Sequence, residues 1–195
     1  MAHGVSQEVS QIDSYREGLK TQIKEACGRV VYTYTTHLKE AHIIKRKNAI
    51  IQWLLIVFSA VSTAGVLTAI FGGYPLIMSV ISAVFTAISL ALNLYARGAQ
   101  LGEKAEKHRV ISNALWPIRE DYYSLLTDFE TLEVDQIIKK RDSLQEKVNN
   151  VYCNAPLTSS KAYKLAQAAL KNEQEQYFEP GEVDKLLPNH LRDGK

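Results

Sequence analysis
From Ile12 onward, apolar residues recur at steps of three and four: Tyr15, Leu19, Ile23, Ala26, Val30, Tyr34, Leu38, Ala41 and Ile44. That spacing keeps them on one face of an α-helix, the other face being polar. Residues 1–10 are polar and are expected to fray. Only Gly28 weakens the pattern, and no proline interrupts it before an apolar run opens at Asn48. The reading is one continuous helix from Ile12 to Phe71, about 90 Å long at ~1.5 Å per residue. Phe71-Gly72-Gly73-Tyr74-Pro75 then breaks the pattern, since two glycines and a proline are strong helix punctuation. A second apolar stretch covers residues 76–96. Beyond it helical spacing continues through Leu101, Ala105, His108, Ile111, Leu115, Ile118, Tyr122, Leu125, Phe129 and Leu132, with Pro117 a candidate kink. The two amphipathic arms, each with one apolar stripe, are expected to pair antiparallel. A further helix is predicted from Glu133 to Val151, with Val134, Ile137, Ile138, Leu144 and Val148 inward. Another follows from Ser160 to about Tyr177, capped by Thr158 or Ser159, and a short turn of helix spans Glu182 to Leu187. No alternation typical of strands occurs.

The charge distribution decides what these helices are for. Between Lys47 and Arg97 lie 49 consecutive residues without Asp, Glu, Lys, Arg or His. A bilayer span needs ~20 apolar residues, so this run suffices for two spans and a turn. The overall composition, 46% hydrophobic and 23% charged, conceals that segregation. The expected class is therefore an all-α membrane protein: a two-span hairpin extended by long cytoplasmic helices, followed by C-terminal cytoplasmic helices. The parts are a polar arm (12–47), a first span (48–71), a second span (76–96), a returning arm (97–132) and C-terminal helices (133–195), all in one domain.

Basic residues flanking short spans favour the cytoplasmic side. Lys39, Lys45, Arg46 and Lys47 precede the first span, Arg97, Lys104, Lys107 and Arg109 follow the second, and the connecting turn has none. Both termini are expected inside, in the inner (cell) membrane, with Lys45, Arg46, Lys47 and Arg97 as topology anchors. Trp53 and Tyr95 near the inner edge and Tyr74 at the outer turn sit where amphipathic aromatics prefer to lie. The polar, charged first 47 residues contain no apolar core of a signal peptide. A net charge of +2 argues against a nucleic-acid binder. Cys27 and Cys153 are expected to be unpaired thiols in a reducing compartment.

Candidate chemistry is confined to stripes within the spans. Ser79, Ala83, Ala87 and Ala91 recur every four residues, a spacing that lets helix backbones approach closely in lipid. Ser82, Thr86, Ser89 and Asn93 form a polar stripe, and Gln52, Ser59 and Thr63 share roughly one face of the first span. Ser82, Thr86, Ser89, Asn93, Ser59 and Thr63 are thus candidate pore-lining residues, provided their hydroxyls do not simply bond their own helix or glue neighbouring helices. The spans hold no ionisable group, which counts against an ion-coupled transporter. No catalytic, cofactor-binding or metal-binding signature stands out. His37 and His42, five apart, point about 140° away from each other on a helix of ~3.6 residues per turn. There is neither a glycine-rich phosphate loop nor a Cys-x-x-Cys pair.

Lys107-His108-Arg109, the run from Asn113 through Trp116-Pro117-Ile118-Arg119 and Tyr122-Tyr123 to Asp128, and the tail Tyr177-Phe178 with Glu182-Val183-Asp184-Lys185-Leu186-Leu187-Pro188 carry a resemblance. Together with the hydropathy layout, they make nearly the whole chain similar to the SLATT family of two-span effector domains associated with nucleotide second-messenger and SLOG-type sensor systems. The resemblance implies a non-enzymatic effector of bacterial anti-phage defence. Such an effector oligomerises in the inner membrane and breaches it, with abortive infection as the result. Its trigger would be a separate sensor protein or a diffusible nucleotide, and its partners would be the lipid bilayer and further copies of itself, with no nucleic acid and no cofactor. Competing readings are a non-conducting membrane scaffold that recruits partners through its cytoplasmic helices and, more weakly, a small transporter subunit.

Overall fold
In a computed structural model of the chain, which describes residues 2–72 and 74–192, every regular element is helical. The first helix, α1, covers Ala2–Phe71 without a break. It starts ten residues before the apolar periodicity does, because nothing between Ala2 and Ile12 except Gly4 opposes a helix. Gly72 closes it with a bond from its amide to the Thr68 carbonyl. Of the turn, Gly73 lies outside the described residues. Pro75 then occupies the first position of α2 (Pro75–Ala99), where its missing amide hydrogen costs nothing.

The returning limb departs from the expected single helix. Gln100 takes a left-handed conformation (φ 47°, ψ 41°) and separates α2 from α3 (Leu101–Thr127). Gly98 and Gly102, both poor helix residues, flank that break. Pro117 sits inside α3 without ending it. The arm finishes in a 3-10 turn over Phe129–Thr131, so its last residues are not α-helical as the 97–132 boundary supposed.

Three shorter helices follow. Helix α4 runs Val134–Tyr152, opened by a capping box in which Glu133 and Gln136 satisfy each other's backbone amides. Helix α5 (Ser160–Lys171) is capped by Ser159, whose hydroxyl accepts from the Ala162 amide. It stops six residues short of the expected Tyr177: the Glu173 and Glu175 amides turn back onto the Ala168 and Ala169 carbonyls, and Gln174 is left-handed (φ 49°). The short α6 spans Glu182–Leu186.

The arms pair as their stripes demand. Leu19, Ile23, Ala26 and Val30 of α1 bury against Leu115, Ile118, Tyr122 and Leu125 of α3, joined by Phe129 and by Ile137 and Leu144 of α4. Of the inward positions expected for α4, Ile137 and Leu144 are buried in this core and Ile138 and Val148 line its edge, while Val134, at the first turn, does not join it. Ile12 and Tyr15, although in phase, are about half exposed because α3 ends before reaching them. Two hydrogen bonds and an ion pair close the end far from the hairpin: Arg16 donates to the Leu132 and Phe129 carbonyls, and Lys20 reaches Glu130. A second, smaller apolar cluster (Ile51, Leu55, Leu101) sits where the arms meet the apolar run.

Above it stands the hairpin. Both of its helices are long and apolar enough to cross a membrane, and only 11% of each apolar window is buried within the protein. A soluble core helix would be mostly covered. Here Ile56, Ile70, Phe71, Leu76, Leu90 and Leu94 are all exposed, a surface that only lipid or another apolar helix would cover.

Candidate functional site: the hairpin seam, its groove and the polar layer below
The two spans meet along heptad-like rows. On α1 the row is Ile51, Leu55, Phe58, Ser62, Gly65 and Ala69. On α2 it is Met78, Ser82, Phe85, Ser89, Leu92, Ala96 and Ala99. With Val57 beside Phe58, these are the positions of each span that lose exposure, and the steps of three and four are those of antiparallel helices in left-handed packing. Phe58 and Phe85 stack at 5.5 Å between ring centroids. Gly65 marks the tightest approach, since a Cβ placed on it would overlap the Ser82 hydroxyl. Ser62 bridges the spans, its hydroxyl 2.5 Å from the Thr86 hydroxyl and 3.2 Å from the Ser82 carbonyl.

This geometry divides the polar stripe. Ser82 and Ser89 are buried in the seam, facing the other span of the same hairpin, and their hydroxyls have no hydrogen-bond partner. Thr86 lies at the seam's edge, bonded to the Ser82 carbonyl at 2.8 Å. Asn93 is exposed and bonds back to the Ser89 carbonyl at 3.3 Å. Ser59 and Thr63 are exposed, the Thr63 hydroxyl returning to the Ser59 carbonyl at 2.9 Å. Ser79 likewise bonds its own helix, at the Pro75 carbonyl.

The small-residue stripe lies beside the seam and is uncovered. Ser79, Ala83 and Ala87, with Thr86, Leu90 and Ser82 from α2 and Val66, Ala69 and Ile70 from α1, line an open groove of about 560 Å³. Ser59 and Thr63 precede Val66 and Ile70 at steps of four, three and four, which continues that wall along α1. The packing stripe and the edge hydroxyls therefore share one groove; Ala91, a further turn along, is also exposed.

At the polar end of the hairpin one of the four basic residues expected as anchors, Lys47, is held in place. Lys47 donates to the Tyr95 hydroxyl at 2.8 Å, tying the two spans together. Lys45, Arg46 and Arg97 are exposed beside it.

Between the two apolar clusters lies a polar layer that sequence reasoning did not find. Thr35, Thr36, His37 and Glu40 of α1 and His108 and Ser112 of α3 are all buried. His37 and His108 face each other across the arms with Nδ1 atoms 2.9 Å apart, at 3% and 4% exposure. At that distance one ring donates and the other accepts, so the pair is built for two neutral imidazoles sharing one proton between the facing nitrogens. Burial pushes His37 down to about 4, helped by His108 and opposed by Glu40; burial also lowers His108, again against Glu40. The Glu40 carboxylate is itself engaged by the Ser159 amide and hydroxyl at the start of α5. The available signal was His108 falling on the apolar stripe of α3, a position where a titratable side chain must find a partner. His42, by contrast, is exposed and does not join His37. Among the described residues no group of three or more His, Cys, Asp or Glu could hold a metal. Cys27 is buried in the arm core, where burial pushes its thiol up, and Cys153 is exposed; both are free.

Two long apolar helices in one hairpin, with paired amphipathic arms beneath, is the layout of a two-transmembrane effector domain. Residues 19–182 match the SMODS and SLOG-associating 2TM effector domain family 4. The chain belongs to this SLATT family. The match runs from Leu19, the first deeply buried residue of the arm core, to Glu182 at the start of α6, so it takes in both arms and the hairpin between them. SLATT membership gives the two apolar helices their place, in a membrane. Comparison with curated proteins and with solved structures finds no match for the chain.

Proposed function
We propose that this SLATT protein is the membrane effector of a bacterial anti-phage system, assembling through its hairpin groove and permeabilising the inner membrane when a sensor partner or nucleotide signal acts on its cytoplasmic arms. The observation that carries the reading is the groove. Helices in lipid gain little by covering ordinary apolar surface, but small side chains let backbones come close enough for dispersion and hydrogen bonding to hold them. Ser79, Ala83 and Ala87 supply such a surface on a hairpin whose other faces bear bulky apolar residues. A single hairpin encloses no water path, so permeabilisation requires several copies. In such an assembly Thr86, Ser59 and Thr63, and Asn93 two turns along from Thr86, supply the wet surface. Ser82 and Ser89 join it only where the two spans of a hairpin separate.

Their burial in the seam also favours the second reading, a non-conducting scaffold, because it removes two hydroxyls from the surface a pore would use. One experiment decides between them. Induced expression of the protein in bacteria, together with dye release from proteoliposomes, is compared for the parent and for Ala83→Leu/Ala87→Leu. At the high density reached on overproduction or reconstitution, mass action drives assembly without the signal, so the effector reading expects the parent to arrest growth and release dye. It expects the variant to insert normally, run at lower mass in detergent and release at most about a tenth as much. A parent that assembles at that density but neither arrests growth nor releases dye is a scaffold. A variant that runs at the parent's mass shows that the groove is not the interface.

A further inference from the structure
Beneath the membrane, beside the polar layer, a cleft of about 450 Å³ opens between α1, α3 and the segment that follows α5. We propose that it is a binding site for a small planar anion, an aromatic ring carrying a phosphate or a carboxylate, and that the ligand takes the place now held by the Gln176 side chain.

Three observations carry this. First, the cleft walls are aromatic: Tyr34 and Trp116, whose rings lie 5.6 Å apart, and Tyr177 opposite them. Trp116 is 45% exposed and Tyr177 61%, so both offer ring surface to a flat partner. Second, the cation in the cleft is pre-positioned. Arg119 is only 9% exposed, and its guanidinium carbon stacks 4.3 Å from the Trp116 ring centroid and 5.1 Å from that of Tyr123. It therefore loses little conformational freedom on gripping an oxyanion. Its Nε makes no hydrogen bond but forms an ion pair with Glu120 Oε1, 3.2 Å away and outside the cleft lining. Lys39, ion-paired with Glu175 at 2.6 Å, and the exposed His42 complete the same wall.

Third, Arg119 already holds a stand-in. Its Nη1 donates to the Gln176 amide oxygen at 2.7 Å, while the Gln176 nitrogen donates to the fully buried Thr35 hydroxyl at 2.8 Å. A neutral carbonyl oxygen from a loop thus occupies the position where a guanidinium binds carboxylate or phosphate more strongly and in two places. The neighbouring Glu175 keeps its own hold on the arms through Lys39, whereas beyond Gln176 both Tyr177 and Phe178 are exposed. Displacing Gln176 would leave the loop tied to the arms by the Lys39–Glu175 pair and would loosen it beyond that point.

The test uses the full chain in detergent micelles. Trp53 and Trp116 are its two tryptophans, so Trp53→Phe leaves Trp116 as the only tryptophan reporter. Adenosine 5′-monophosphate, phenyl phosphate and benzoate are titrated while Trp116 emission is followed, with adenosine and inorganic phosphate as half-ligands. At least one ring anion should shift the emission saturably, and adenosine 5′-monophosphate, if it binds, should do so about tenfold or more tighter than either half. The tightest of the three distinguishes phosphate from carboxylate. Arg119→Lys, which keeps the charge but loses the planar fork, should weaken binding about tenfold. Gln176→Ala, by removing the internal competitor, should tighten it about threefold or more. Absence of saturable binding by every ring anion overturns the site. Inorganic phosphate binding as tightly as adenosine 5′-monophosphate overturns the role of the rings. A Gln176→Ala protein that binds no more tightly than the parent overturns the displacement, even where Arg119→Lys fails to fold.

Discussion
Gly65 and Ser82 set how close the two spans come. A methyl group on Gly65 would meet the Ser82 hydroxyl, whereas the Ser82 Cβ would stand 3.5 Å from it, an ordinary contact. Gly65→Ala should therefore lower hairpin stability by about 1–3 kcal/mol, the usual cost of overpacking. Adding Ser82→Ala should restore it, because that hydroxyl is the obstruction and has no hydrogen bond to lose. Thermal unfolding in detergent, followed by circular dichroism, checks both; a single variant melting with the parent would show that the spans have room to spare. The sequence made Ser82 legible as one member of a polar stripe, yet its burial was not. Which of four polar side chains at helical spacing faces the partner span depends on the rotation of two helices about their axes, and periodicity along one helix does not report that rotation. Gly65 carried no signal by itself, since the value of a missing side chain lies in the residue opposite.

Paired helices show how far pattern alone reaches. Along α3 the stripe predicted most of the buried positions, missing Ser112 and Arg119, because 3.6-residue periodicity and burial are the same constraint where one face packs on one partner. On α1 it missed Cys27, Val31, Thr35, Thr36, His37 and Glu40, because α5 covers a second face of that helix. The end of α5 and the break at Gln100 were not legible. Both turn on a glutamine in a left-handed conformation, which costs a non-glycine residue about 1–2 kcal/mol and leaves no mark in composition. The histidine pair was equally hidden, its members 71 residues apart on different helices. It makes the arms sensitive to acid. The folded protein holds His37 near 4, while the unfolded chain protonates it around 6.5. Between those values the unfolded state binds more protons, so stability falls as pH drops. The loss should begin below about pH 6.5 and be complete near 4, reaching on the order of 3 kcal/mol at ~1.4 kcal/mol per unit. Unfolding measured across pH 4–7.5 should show this slope, and His37→Asn should flatten it. An unchanged slope in the variant would assign the acid loss elsewhere.

Across the whole molecule, the proposed orientation can be read from one exposed thiol. Cys153 is exposed at the end of α4, whereas Cys27 is buried in the arm core and would resist labelling from either side. With both termini inside, a membrane-impermeant maleimide should label a cysteine placed at Tyr74 in intact cells, and Cys153 only after permeabilisation. Labelling of Cys153 in intact cells would invert the topology. That orientation was argued from eight basic residues flanking the spans and none in the turn. The cleft around Arg119 had no such linear trace, since its walls come from three segments far apart in the chain. The two connections between the arms and the bilayer also differ mechanically. One is α1, an unbroken shaft from the arm core to the outer turn. The other is interrupted at Gln100, where the helical ladder breaks between α2 and α3. A torque on the arms should therefore be carried more directly into the first span than into the second. A rearrangement of the arms would then turn one span against the other, along the row where Gly65 meets Ser82.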